Sequence, residues 1–145
     1  MKIELRRITY NARLSEETPA YAADVYVDGK KRGTTQNDGH GGMDMIHPHS
    51  LQQEIDAYAK TLPLLPSPYG APFEQSAETI FGDLLDTWLV ARTLKRALKT
   101  KTLFVRGGKL YEMKLPHQPT GEVTILNALP FDEAVQVYIQ HTRAA

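Results

Sequence analysis

The stretch Ala77–Lys99, AETIFGDLLDTWLVARTLKRALK, decides the reading of the fold. Ile80, Leu84, Ala91, Leu94 and Leu98 recur at helical spacing and fall on one stripe. Ser76 stands at the N-cap position, and Glu78 follows in the first turn, where the helix dipole favours an acid. At ~1.5 Å per residue the helix spans roughly 35 Å, about the diameter of a small domain. The other segments are therefore expected to pack around it. In the first half the apolar residues Ile80, Phe81, Leu84, Leu85, Trp88 and Leu89 spread round the axis. That half is expected to be deeply buried, and Leu84, Trp88, Ala91 and Leu98 are expected in the core. From Arg92 the helix turns amphipathic. Arg92, Lys95, Arg96 and Lys99 share a basic face bordered by Trp88, one turn earlier. Structurally the same residues are a solvated face matched to the helix dipole, with Trp88 in the core.

Working outward, Ser50–Leu62 reads as a second helix. Ser50 and Gln53 have capping-box spacing, and Leu51, Ile55, Tyr58, Ala59 and Leu62 form its stripe. Between the helices lies a Pro-rich segment, 63–75, expected to be extended as a spacer or a contact loop. Upstream, Lys2–Tyr10 and Tyr21–Val27 alternate as strands. The phase of the first slips at Arg6–Arg7, the signature of a β-bulge. Asp28-Gly29 predicts a tight hairpin into Lys30–Gln36, KKRGTTQ, whose polarity suits a sheet edge. Met43–Pro48 is too short and mixed to classify. Downstream, Thr102–Arg106 and Leu110–Leu115 flank the turn Gly107-Gly108, and Glu122–Asn127 reads as a short strand. Pro130 opens a closing helix with Phe131, Ala134, Val135, Tyr138 and Ile139 on one stripe. The order βββ-α-α-βββ-α predicts an α+β fold: a single domain, 1–145, with a mostly antiparallel sheet and the helices on one face around the long central helix.

Composition narrows the function classes. Seventeen Lys and Arg balance seventeen Asp and Glu, which disfavours a chain held to nucleic acid throughout by phosphate contacts but leaves room for a local patch. There is no cysteine, which excludes disulfides, thiolate metal sites and cysteine nucleophiles. No apolar run reaches membrane-spanning length, and MKIELRRITY lacks the apolar block of a signal peptide. The expectation is a cytoplasmic protein without membrane partners.

The candidate sites are few. Asn37, Asp38, Gly39, His40, Gly41, Gly42 and Met43 form a glycine-rich loop after the polar strand, and are expected to contact a protein partner. Its N–H groups also suit an anion nest, although neither a Gly-Lys-Ser/Thr nor a GxGxxG pattern accompanies it. Structurally, the glycines let the loop turn tightly beside a neighbour. His40, Asp44, His47 and His49 offer donors for a divalent metal; no other cofactor is expected. An extended 45–49 segment places His47 and His49 on one side, and an open metal there activates water. Ser50 and Ser76 are explained as caps, so no catalytic serine is assigned.

The run Val25-Tyr26-Val27-Asp28-Gly29-Lys30-Lys31, followed by Asn37–Gly42, resembles a pattern in small uncharacterised proteins of bacteriophages and bacterial mobile elements. Lys99–Phe104, ahead of a hairpin, is similar to the same group. The resemblance implies a mobile-element context, in which small proteins act by binding a host component. It implies no functional residue. The leading expectation is a non-catalytic protein-binding protein. Its rivals are a metal-dependent hydrolase or phosphodiesterase at 40–49 and a nucleic-acid contact through Trp88 and the basic face.

Overall fold

The computed structural model describes residues 1–142. Its class is α+β with antiparallel pairing, as the sequence predicts, but the strands form two sheets rather than one. Instead of the expected single domain, the chain divides into two compact units, with the boundary between Leu85 and Asp86 inside the long helix.

The first unit begins with β1 (Ile3–Asn11), β2 (Ala20–Val27) and β3 (Lys30–Asp38). The bulge in β1 falls where the phase slips. Register shifts between Arg6 and Thr9, and Arg7 adopts a φ of 54°. Asp28 and Gly29 both have positive φ, the tight turn that matches the twist of the flanking strands. Alternation in β2 buries Tyr21, Ala23, Val25 and Val27.

The expected edge position of Lys30–Gln36 is corrected for its second half, Thr34–Gln36. A three-residue strand, β4 (Met45–His47), pairs with Thr34–Gln36 and completes the order β1-β2-β3-β4. Beyond it the chain runs over Gly33, where an added Cβ would lie 2.0 Å from the His47 carbonyl oxygen; a bare glycine permits that approach.

Helix α1 (His49–Ala59) starts one residue before the expected Ser50. Its N-cap is Pro48, and no side-chain cap bond forms, so the Ser50–Gln53 capping box is absent. The Pro-rich segment is not extended throughout. Leu65 and Phe73 exchange both backbone hydrogen bonds, at 2.9 and 3.0 Å, folding it into a closed loop with Tyr69 98% exposed.

Helix α2 (Ala77–Ala97) is capped as expected. The Thr79 N–H donates to Ser76 Oγ, the Ser76 N–H donates to Thr79 Oγ1, and the Ala77 N–H donates to Asp56 Oδ1 of α1 at 2.7 Å. The first core joins Val25, Val27, Ile46, Leu51, Ile55, Ala77 and Phe81. The deep positions in this half of α2 are Ala77, Phe81 and Leu85. Leu84, Trp88, Ala91 and Leu98 are only half-buried, and Gly82, Asp83 and Asp86 are exposed, so the expectation of burial on most sides is corrected.

In the second unit, β5 (Lys101–Arg106) pairs with β6 (Lys109–Lys114) around Gly107-Gly108. The expected strand 122–127 shortens to β7 (Thr124–Ile125), followed by a 3-10 turn over Leu126–Ala128. The Asn127 side chain replaces the missing strand edge. Its Oδ1 accepts from the Leu103 N–H and its Nδ2 donates to the Lys101 carbonyl, both at 2.9 Å. Helix α3 (Phe131–Thr142) follows Pro130 and buries Ala134 and Val135. They join Leu94, Leu103 and Leu126 in the second core. Among the described residues no helix is long and apolar enough to cross a membrane.

Candidate functional site

Asn37, at the end of β3, organises the glycine loop. Its Oδ1 accepts from the Thr18 hydroxyl at 2.8 Å and from the Gly39 N–H at 2.9 Å. Its Nδ2 donates to the Gly42 carbonyl at 3.0 Å and to Asp44 Oδ1 at 3.1 Å. One amide thus ties together the 12–19 loop, both ends of the glycine turn and the approach to β4. Every lobe of that amide is used.

Gly39 locks the turn from the other side. It has a φ of +88°, and an added Cβ would stand 2.0 Å from the Leu14 carbonyl oxygen. Its own carbonyl accepts from the Glu16 and Glu17 N–H groups at 3.1 and 3.0 Å. The structural reading of these glycines, a tight turn beside a neighbouring segment, is the one realised here.

The anion nest is corrected. The loop N–H groups already donate inward: Gly39 to Asn37, His40 to the Asp38 carboxylate at 3.3 Å, and Gly41 to the Thr18 hydroxyl at 3.3 Å. A carboxylate already occupying one of those donors opposes a second anion.

Beneath the loop lies a cavity of about 320 Å³. Tyr21, Asn37, Met43, Asp44, Glu78 and Leu85 are among its lining residues. The Asp44 N–H donates to Glu78 Oε1 at 2.6 Å. Burial raises the Asp44 carboxyl above its ordinary 3.8; the Asn37 and Tyr21 bonds pull it down, and the Glu78 charge pushes it up. Burial also pushes the Tyr21 phenol up, against a bond of 3.2 Å shared with the Thr35 hydroxyl, and the Asp44 and Glu78 charges add to the rise. Tyr21 is thus a neutral hydroxyl at physiological pH rather than a base.

The Asp44 shift has a definite sign. A carboxyl raised on folding binds its proton more readily in the native state. The associated cost is absent below 3.8 and fully present above the raised value, so stability falls as pH rises between them. Asp44→Asn is expected to raise the melting temperature at pH 7, with the difference from the native chain closing towards pH 4. Thermal melts across that range check it; a difference that widens on acidification contradicts it.

The four expected metal donors are not brought together. His40 Nδ1 lies 3.4 Å from Glu16 Oε2 with both side chains exposed, Asp44 is held by Asn37, His47 closes β4 and His49 opens α1. Among the described residues no three His, Asp or Glu side chains gather to hold a metal ion.

On the basic face, the Arg92 guanidinium lies 4.9 Å from the Trp88 ring centroid. Both residues are half-buried, whereas Lys95, Arg96 and Lys99 are exposed. Tyr21, Thr18 and Glu78 were not singled out by the sequence as site residues. Their signal is topological: 19 residues separate Thr18 from Asn37, and 34 separate Asp44 from Glu78.

The apolar side chains of this region stand outside. Met43 is 68% exposed and Met45 55% exposed, and both line a second cavity with Tyr21, Gln36 and Asn37. No family model, curated protein or solved structure matches the chain.

Proposed function

We propose that this chain is a non-catalytic binding protein that takes a protein partner on the surface formed by residues 37–45. The observation that carries the reading is the exposure of Met43, on a loop whose two ends are tied by Asn37, and of Met45, at the start of β4. Exposed methionines on a fixed backbone supply adaptable apolar contact without the entropic cost of ordering the loop on binding. Neighbouring polar groups favour binding over chemistry. Asn37, Thr18, Asp44 and Glu78 bond to one another and to loop backbone. The mobile-element context belongs to this proposal, with a bacterial host component as the partner.

The test is capture from bacterial lysate followed by cross-linking and identification of the captured chain. Met43→Lys combined with Met45→Lys is expected to lower capture at least about tenfold, the loss of a buried apolar anchor pair, while the melting temperature holds. Unchanged capture by the folded double variant contradicts the assignment. So does a loss seen instead with Tyr69→Ala on the Pro-rich loop.

A further inference from the structure

The two units differ in charge. From Asp86 onward the sequence carries nine Lys and Arg against five Asp and Glu; up to Leu85 it carries eight against twelve. The net charge of zero is therefore a cancellation, and the second unit is basic.

Strand parity sorts the hairpin of β5 and β6 into two faces. Leu103, Val105 and Leu110 pack into the second core. Phe104, Arg106, Lys109 and Tyr111 share the opposite face, with Phe104 paired to Tyr111 and Arg106 to Lys109. The Phe104 and Tyr111 rings stack, with centroids 5.6 Å apart and planes 23° apart. Arg106 lies over the Phe104 ring at 5.3 Å from its centroid. Phe104 is buried beneath these neighbours, whereas Tyr111 is 45% exposed.

Arg106 and Lys109 stand directly opposite one another, a like-charge pair that destabilises a hairpin. Among the described residues neither has a carboxylate within ion-pair distance. Arg106 donates to the Thr120 carbonyl, which leaves its charge uncompensated, and Lys109 has no side-chain partner among the described residues. An exposed aromatic ring backed by a second ring, with these two uncompensated charges beside it on one sheet face, has two complementary needs. The ring takes a flat π-surface, and the cations take phosphate.

We propose that this face of β5 and β6 binds single-stranded nucleic acid, with a base stacked on Tyr111 and the adjoining backbone phosphates on Lys109 and Arg106. A duplex hides its base faces and cannot use Tyr111. Single strands expose them, and stacking of this kind is tolerant of sequence. The site is independent of the loop at 37–45 and involves only the second unit.

Fluorescence anisotropy with labelled single-stranded DNA and RNA of about a dozen nucleotides tests it on the full chain. The native chain is expected to bind the single strand and to prefer it over the duplex of the same sequence. Tyr111→Leu, which keeps apolar cover over Phe104, is expected to weaken binding roughly 5- to 100-fold. Lys109→Gln is expected to flatten the dependence of log affinity on log salt by about 0.7, one phosphate contact. Lys95→Gln with Arg96→Gln, on the exposed face of α2, is the charge control and is expected to leave the single-strand preference intact. Absence of binding by the native chain overturns the proposal. So does equal affinity for duplex, or loss through the α2 variant with none through folded Tyr111→Leu and Lys109→Gln. Binding to anionic vesicles with the same Tyr111 dependence, in place of oligonucleotides, also overturns it.

Discussion

Gly39→Ala is expected to lower the stability of the fold by about 3 kcal/mol or more, among the larger effects a single substitution produces. Two penalties combine. The φ of +88° is reached by other residues only with strain, of order 1–2 kcal/mol. The new Cβ also meets backbone, at 2.0 Å from the Leu14 carbonyl oxygen and 2.9 Å from its carbon, so the 12–17 segment has to move. Movement there breaks the bonds from the Glu16 and Glu17 N–H groups to the Gly39 carbonyl. Gly42→Ala is the control three residues away. Nothing lies within 4 Å of its added Cβ, so a change within about 0.5 kcal/mol is expected. Urea unfolding of the two variants gives the comparison; similar small losses in both contradict the packing described for Gly39.

Asn37→Ala carries the second large effect, expected at about 2–3 kcal/mol. The amide makes four hydrogen bonds, at 2.8, 2.9, 3.0 and 3.1 Å, each worth about 0.5–1.5 kcal/mol net. They are not additive, since loss of the amide lets Thr18 and Gly42 turn to water. Asp44 cannot recover so easily. It is half-buried beside Glu78, and without Asn37 its carboxyl loses the larger of the two bonds, from Asn37 and Tyr21, that hold its raised value in check. The variant should therefore also be more sensitive to rising pH than the native chain, because the unrelieved carboxylate forms as pH climbs. A loss below about half a kcal/mol contradicts the organising role of Asn37.

Local signals in the sequence correspond closely to local structure. The phase slip at Arg6–Arg7 is the bulge, Asp28-Gly29 and Gly107-Gly108 are the hairpin turns, and Ser76 caps α2. These features depend on a few adjacent residues, so local chemistry specifies them. The misses depend on distant partners. Met45–His47 is too short to show alternation, and only its pairing with Thr34–Gln36 makes it a strand and takes that part of β3 off the edge. One stripe drawn through α2 fails because Ala77 and Phe81 serve the first core and Leu94 serves the second. A helix shared between two cores has no single periodicity to read.

The site divides in the same way. Residues 37–43 are legible as an unusual loop from their glycines alone. What fixes the loop is not, because Thr18 and Glu78 reach it from other parts of the chain. The histidines at 40, 47 and 49 are close in sequence yet fall in a turn, at a strand end and at a helix start. Nearness in sequence did not become convergence in space. Tyr111 carried no signal beyond strand alternation, and its pairing with Phe104 emerges only from the register of the hairpin.

With Asn37, Thr18 and Glu78 accepting or donating at its backbone, the loop at 37–45 is expected to be a preformed surface rather than a slack connection. Amide hydrogen exchange at Gly39, Gly41 and Asp44 reads this out, because these N–H groups donate to Asn37 Oδ1, Thr18 Oγ1 and Glu78 Oε1. Measurable protection is expected at all three in the native chain. In Asn37→Ala that protection should collapse at Gly39 and Gly41, while the β2 amides flanking Val25 stay protected. Rapid exchange at these amides in the native chain, indistinguishable from the variant, would instead show a slack loop.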